Sequence, residues 1–198
     1  MLEDIQIKQY FERIGYCQAV YTNLETLSGL QWAHITHIPY ENLDILASIP
    51  LSLKATNLFQ KIIVRKRGGF CFELQGLYKE LLESIGFHVV QYSARFMDKP
   101  GIVQMRRHRV LVVQIGNRRY LTDVGIRSES PRMPISQMAC ANIDFGKMPF
   151  MDGYSVRKNT GNHGNHCMDL RKNRRLMMIL SCPVFTVRNT RTLHLINL

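Results

Sequence analysis

The sequence predicts an α+β chain in which a helical layer, residues 1–87, precedes a layer of antiparallel strands, residues 88–198. Two observations support this order. Apolar residues recur at helical spacing as far as Ile85, and short runs rich in β-branched and aromatic residues replace that rhythm after His88. A chain of 198 residues with 45% hydrophobic residues is also long enough to enclose a sizeable core.

Two helices are predicted in the first forty residues. The first covers Asp4 to Arg13, which has apolar residues on one face. The second begins after Thr22, whose spacing to Glu25 is that of a capping box. Pro39 interrupts the stretch that follows, because proline disfavours helical backbone at the residue before it.

Two more helices are predicted before the strands. Residues 52–64 form the third, and the fourth begins at Cys71 and ends before Gly86, a residue suited to the left-handed stop of a helix. The predicted strands occupy 88–96, 108–115 and 119–126. Further strand-like runs lie at 153–158, 166–171, 176–181 and 183–188.

The net charge of +11 is unevenly distributed. Residues 1–100 carry equal numbers of basic and acidic side chains, so residues 101–198 hold the whole excess. Such a half attracts anions, which include phosphorylated cofactors, nucleic acid and acidic lipid. No aromatic stacking set or known nucleic-acid module accompanies the charge, so we expect no specific nucleic-acid partner.

Cysteine usage and hydropathy indicate the compartment. The five cysteines are irregularly spaced and include no CxxC pair, as in a reduced cytoplasmic protein. The N-terminus lacks an apolar signal region, and the longest apolar run near the C-terminus is too short to span a bilayer. We therefore expect a cytoplasmic chain with no membrane partner.

Cys71 admits three interpretations: a buried apolar residue, a metal ligand or a nucleophile. Lone cysteines are commonly buried. Here, however, Gly68 and Gly69 allow a tight turn just before it, and the first turn of a helix favours an anion. Basic residues 65–67 lie immediately upstream, so the surroundings favour a thiolate.

A thiol nucleophile needs a base and a group that orients the base. If Gly116 and Asn117 form a two-residue turn, His108 and Asp123 become diagonal neighbours on one sheet face. A loop one residue longer would place them on opposite faces. The alternatives are a solvated histidine at a strand end and a carboxylate that forms a turn.

Four segments, RGGFCFELQ, IPYENLDIL, HRVLVV and TDVG, resemble signatures of the arylamine N-acetyltransferases, and the resemblance covers about residues 5–135. It implies a cysteine-protease-like core beside a β-barrel-like layer. In that core Cys71 is the acetylated nucleophile, His108 its base and Asp123 the orienting carboxylate.

The resemblance also implies the reaction and its further residues. Acetyl-CoA is the cosubstrate, and an arylamine, hydrazine or N-hydroxyarylamine accepts the acetyl group in a ping-pong sequence without a metal. Glu41 and Arg67 match a supporting charged pair, and the segment from Gln104 to Arg107 matches one that contacts the cofactor.

Three departures from the family pattern are present. Gln75 stands where the motif often has Asn, and Ile126-Arg127 where many members have Phe-Gly. The C-terminal lid region that packs near the cofactor cleft in the family is not recognisable here, so we expect a more open cleft over Cys71 and slow or absent acetyl transfer. An inactive remnant, or a related thiol hydrolase or amide-forming enzyme, remain alternatives.

A cluster at His163, His166 and Cys167 resembles part of a metal site. It has no second ligand pair at suitable spacing, and its Gly-Asn pairs are typical of a hairpin loop. The sequence therefore predicts no metal.

Overall fold

The computed structural model describes residues 1–97, 105–126, 131–136 and 176–180, with the backbone alone at 95–97 and 176–180. The helices come first. They are α1 (Asp4–Ile14), α2 (Leu24–His37), α3 (Leu43–Leu46), α4 (Ala55–Phe59), which continues into a π-helical turn (Gln60–Val64), and α5 (Cys71–Ser84).

The strands follow and form one antiparallel sheet. They are β1 (His88–Met97), β2 (His108–Ile115), β3 (Arg118–Thr122), β4 (Ile135–Ser136) and β5 (Leu176–Leu180). Their order across the sheet is β4-β3-β2-β1-β5, and every described pair is antiparallel. The predicted α+β class is therefore confirmed, and among the described residues the helices precede the strands. The other late strand-like runs, at 153–158, 166–171 and 183–188, lie outside the described residues.

The β2–β3 hairpin has the predicted register. Ile115 pairs with Arg118 across a two-residue turn, and Gly116 adopts a φ of 57° there. That angle lies in the left-handed region, which such turns require and which glycine adopts without strain. The same register places the ends of both strands beside α5.

Helices and sheet share one apolar core. Leu77, Leu81 and other buried residues of α5 pack in the same cluster as Leu111 and Val113 of β2. A second, smaller cluster on the opposite face of the sheet includes Val110 and Val112. β2 is buried on both faces, and its start lies against the first turns of α5.

Two local predictions need correction. The N-cap of α2 is Asn23 rather than Thr22: the Asn23 side chain accepts a hydrogen bond from the Thr26 backbone N–H at 2.9 Å. The third predicted helix is α-helical only over Ala55–Phe59 and then widens into the π-helical turn. Gly86, in contrast, ends α5 as predicted, with a φ of 94°.

Within the described ranges, no helix is long and apolar enough to cross a membrane.

His34 is a fully buried titratable group in the helical layer. Its Nδ1 lies 2.8 Å from the Tyr10 hydroxyl, and its ring packs edge-on against Tyr78. Burial lowers the pKa of His34 to about 3, and the charge of Arg13 adds to the effect. The folded protein therefore keeps this imidazole neutral at pH values where the unfolded chain binds a proton.

We predict that His34 weakens the fold as the pH falls. A histidine whose pKa is lower in the folded protein than in the unfolded chain stabilises the fold less as the pH falls. The loss runs from the pKa in the unfolded chain, here 6.5, down to the pKa in the folded protein, about 3. Between pH 7 and pH 5 the loss should be about 2 kcal/mol. Urea unfolding of wild type and H34Q measures it, and the difference in stability between them should shrink over that range. The exposed His88 gives the control H88Q, and a pH slope of H34Q equal to that of wild type contradicts the prediction.

Candidate active site

The glycine loop before α5 makes close backbone contact with the loop after α2. A Cβ on Gly68 would lie 2.0 Å from the Pro39 carbonyl oxygen, so no side chain fits there. Gly69 N–H donates to that carbonyl, and Glu41 N–H donates to the Gly69 carbonyl. These contacts set the position of Phe70, the N-cap, and of Cys71, the first residue of α5.

Asp123 follows β3 and is completely buried. Its Oδ2 accepts a hydrogen bond from His108 Nε2 at 2.7 Å. Its Oδ1 accepts two more, from Gln75 Nε2 at 2.6 Å and from the Gly125 backbone N–H at 2.8 Å. One carboxylate therefore joins α5, the start of β2 and the loop after β3.

His108 is also completely buried, at the first position of β2. Burial on its own lowers the pKa of this imidazole, but the charge and hydrogen bond of Asp123 and the interaction with Cys71 outweigh burial and raise the pKa to about 10. The ring therefore interacts with both other residues of the predicted constellation.

Cys71 lies close to both β2 and the loop after β3. The residue is 6% exposed, and its Sγ lies 3.7 Å from the backbone carbonyl oxygen of Arg107. A Cβ on Gly125 would come within 3.0 Å of the Cys71 Cα and 3.1 Å of the Gln75 Cγ. Glycine at position 125 thus lets the loop carrying Asp123 pack directly against the nucleophile helix.

An ion-pair network supports the other side of the glycine loop. Lys61 Nζ contacts Glu73 Oε1 and Asp44 Oδ2, each at 2.8 Å. Arg67 lies 2.6 Å from Asp44 and 2.8 Å from Glu41. Glu73 also accepts from the Phe70 backbone N–H at 3.1 Å.

The network has a direct effect on protonation. Burial opposes ionisation of Asp44, yet hydrogen bonds from Lys61 and Arg67 prevail and lower the pKa of its carboxyl. The pKa of Lys61 is raised in turn, since Asp44 and Glu73 outweigh its own desolvation. Asp44 and Lys61 thus each favour the charged form of the other.

The structure brings together most of the residues that the sequence singled out. Cys71, His108 and Asp123 lie at one place, and Arg67 pairs with Glu41. Arg107 is exposed next to them, whereas Gln104 lies outside the described residues, as do His163, His166 and Cys167.

Four residues of the site were not predicted: Asp44, Lys61, Gln75 as a partner of Asp123, and Arg109. The spacing of Asp44 from Glu41 on one turn was the available signal for the first. In the described part of the chain, no group of three or more metal-binding side chains occurs.

Comparison with known proteins identifies the segment that holds this site. The family model described as N-acetyltransferase matches residues 23–143, more than half of the chain. The chain is 32% identical over 130 residues to an arylamine N-acetyltransferase of Escherichia coli. It is 36% identical over 132 residues to a Salmonella typhimurium arylamine N-acetyltransferase / N-hydroxyarylamine O-acetyltransferase.

Solved structures agree with these matches. The structure of Mycobacterium marinum arylamine N-acetyltransferase in complex with CoA matches with a TM-score of 0.61 and 34% sequence identity. That match covers 65% of this chain and 49% of the other. The matches to the two curated relatives cover 65% and 66% of this chain but 46% and 47% of those proteins, so the chain spans about half their length.

We predict that Lys61 stabilises the fold chiefly by neutralising Glu73, which is 3% exposed. K61M leaves that buried carboxylate without its cation and should lower the free energy of unfolding by about 3 kcal/mol. Adding E73Q should restore much of the loss, because a neutral amide tolerates burial better. Urea denaturation of both single variants and the double variant measures the coupling.

The control for this comparison of single and double variants is K79M. Lys79 pairs with Glu83 on the partly exposed face of α5, so its loss should cost less than about 1 kcal/mol. If K61M lowers the free energy of unfolding by the same amount in the wild-type and E73Q backgrounds, the assigned role of Lys61 is contradicted.

Proposed function

The chain belongs to the arylamine N-acetyltransferase family, and on that premise we propose that it transfers an acetyl group from acetyl-CoA to an aromatic amine. Hydrazines and the oxygen of N-hydroxyarylamines are further acceptors under this proposal. The observation that carries it is the buried constellation of Cys71, His108 and Asp123 inside the matched segment.

The hydrogen bond to Asp123 fixes the tautomer of His108. Asp123 Oδ2 is an acceptor, so the Nε2 nitrogen of the ring carries the proton that it donates. Nδ1 is then the nitrogen that exchanges a proton with Cys71, the second group interacting with the ring. We assign Asp123 the role of orienting and charge-stabilising the imidazole, and His108 the role of general base and acid.

In the first half-reaction the Cys71 thiol gives its proton to His108, and the resulting thiolate attacks the thioester carbonyl carbon of acetyl-CoA. A carbon–sulfur bond to Cys71 forms and the bond to the coenzyme A sulfur breaks. His108 returns the proton to the departing thiolate. The first backbone N–H groups of a helix lack intrahelical partners, and those at the start of α5 would stabilise the oxyanion.

In the second half-reaction the amine nitrogen attacks the carbonyl carbon of the acetyl-cysteine. The bond to Cys71 breaks, and His108 accepts the proton that the amine loses and passes it to the departing Cys71 thiolate, which restores the thiol. A thioester intermediate conserves the reactivity of the donor, so neither half-reaction needs an external energy source.

Arg107 is our candidate for contact with the anionic part of acetyl-CoA. It is exposed, and its own carbonyl oxygen lies 3.7 Å from Cys71 Sγ, so its backbone lies at the rim of the site. The positive excess of residues 101–198 supports the same assignment. The solved relative in complex with CoA supports coenzyme A as the carrier, and Gln104 stays a prediction from the resemblance.

We predict that acetyl-CoA alone, without an amine, adds one acetyl group to Cys71. Intact-protein mass spectrometry followed by peptide mapping should find the adduct in wild type and in C17A, which removes an exposed cysteine, but not in C71A. Adduct formation without later transfer to an arylamine would limit the activity to the first half-reaction. Absence of any adduct in the folded wild type would overturn the proposed function.

We predict that D123N inactivates the site while the fold persists. Asn has one acceptor oxygen, and Gln75 and Gly125 both donate toward the Oδ1 position. The amide NH2 then faces His108 Nε2, so the neutral ring must carry its proton on Nδ1, toward the thiol. kcat should fall about a thousandfold with little change in KM.

Steady-state kinetics of D123N and circular dichroism test this together. D123E is the matched control, because it keeps the charge and acceptor count and changes only the length. A D123N variant with kcat within about threefold of wild type would show that the tautomer does not limit the reaction.

A further inference from the structure

Arg109 is a partly buried cation next to the nucleophile that the proposed mechanism does not use. It follows His108 on β2, so its side chain leaves the strand on the opposite face and crosses the first turns of α5. Its Nη1 donates to the Phe72 backbone carbonyl at 3.1 Å, and its guanidinium carbon lies 5.2 Å from the centre of the Phe72 ring.

The sequence of α5 leaves room for this guanidinium. A Cβ on Gly76 would lie 2.9 Å from Arg109 Nη1 and 3.1 Å from Leu58 Cδ1. Gly76 is interior to a helix, where glycine is less favourable than alanine. Its presence is explained by the slot that it provides for Arg109.

The position of this cation is electrostatically unfavourable by itself. Burial lowers the pKa of Arg109 to about 10, and the start of a helix carries the positive end of its dipole. In the part of the chain that the structure describes, no carboxylate forms an ion pair with Arg109, and its buried Nε has no hydrogen-bond partner. The hydrogen bond to the Phe72 carbonyl holds the guanidinium beside the first turn of α5, the helix that begins at Cys71.

Several other charged groups near Cys71 are already paired. Asp123 bonds to His108, and on α5 itself Glu73 bonds to Lys61. Arg67, which lies upstream of Cys71 in the sequence, bonds to Asp44 and Glu41 instead. Arg109 is a cation beside the first turn of α5 that has no carboxylate partner among the described residues.

We propose that Arg109 is a positioning residue that holds the first turn of α5 against β2 and, through its charge, favours the thiolate form of Cys71. The inference rests on the proposed role of Cys71 as nucleophile. It adds that the thiol has a second cationic neighbour on the opposite side of β2 from His108, with Gly76 as the residue that makes room for it.

The test is the pH dependence of Cys71 alkylation by iodoacetamide, which needs neither acetyl-CoA nor an amine. The thiolate displaces iodide and forms a carbon–sulfur bond, so the rate follows the thiolate population. R109Q keeps a donor for the Phe72 carbonyl and removes the charge. Its rate profile should move about one pH unit upward, and its rate at pH 7 should fall about tenfold.

Two matched variants separate charge from structure. R109K retains the charge, so the pH profile of its alkylation rate should lie closer to that of wild type than the R109Q profile does. R118Q removes an exposed cation at the other end of the hairpin and should leave the profile unchanged. Circular dichroism confirms folding, and peptide mapping separates labelling at Cys71 from labelling at Cys17.

A folded R109Q with the wild-type profile would overturn the proposal, as would an R109K that shifts as far as R109Q. If R109Q does not fold, G76A decides, because the added methyl displaces the guanidinium without removing its charge. An upward shift in G76A supports the proposal and an unchanged profile overturns it. A shifted R109Q profile in a protein that forms no acetyl adduct would uphold the role of Arg109 while the proposed acetyl transfer fails.

Discussion

The site depends on one buried carboxylate. Asp123 has no exposed surface, and an ionised carboxylate is costly in such a place unless its acceptors are all engaged. Here the three donors come from different segments: the ring of His108 at the start of β2, the amide of Gln75 on α5, and the backbone of Gly125. Folding must bring all three segments together before the charge is satisfied, so the arrangement of the base is coupled to the docking of α5 on the sheet.

A second set of charges stabilises the same helix from its other side. Three carboxylates and two cations link the loop after α2, the π-helical turn and the first turn of α5. Together with the backbone contacts of Gly68 and Gly69, they hold the N-cap of α5 in place. Of the basic residues upstream of Cys71, Arg67 therefore acts on the loop, because its guanidinium pairs with Glu41 and Asp44.

Local rules were sufficient for much of this arrangement. The Gly116-Asn117 turn fixed the hairpin register, and that register was enough to place His108 beside Asp123, because pairing in a hairpin is determined by the turn. The start of α5 at Cys71 and its stop at Gly86 likewise follow from residues within one helical turn of each end. The cap of α2 was misplaced by one residue because Thr22 and Asn23 are both good caps and only the backbone angles choose between them.

What the sequence did not predict depends on how the helices dock. Lys61 lies on the π-helical turn and contacts Glu73, and no periodicity rule anticipates such a turn. Arg109 shares a strand face with the buried Leu111 and Val113, and its side chain crosses the first turns of α5 and finds room at Gly76. Partners so distant in sequence become visible only when the layers are placed against each other.

Gln75 shows how a departure from the family pattern is accommodated. Gln has one more methylene than the Asn often found at this position, and its Nε2 still reaches Asp123 at 2.6 Å. The Gln75 Cγ and the Cys71 Cα would lie 3.1 Å and 3.0 Å from a Cβ on residue 125, so a side chain there would crowd the first turn of α5. The same glycine donates its backbone N–H to Asp123. The carboxylate keeps its donors because the loop after β3 carries no side chain where it packs against α5.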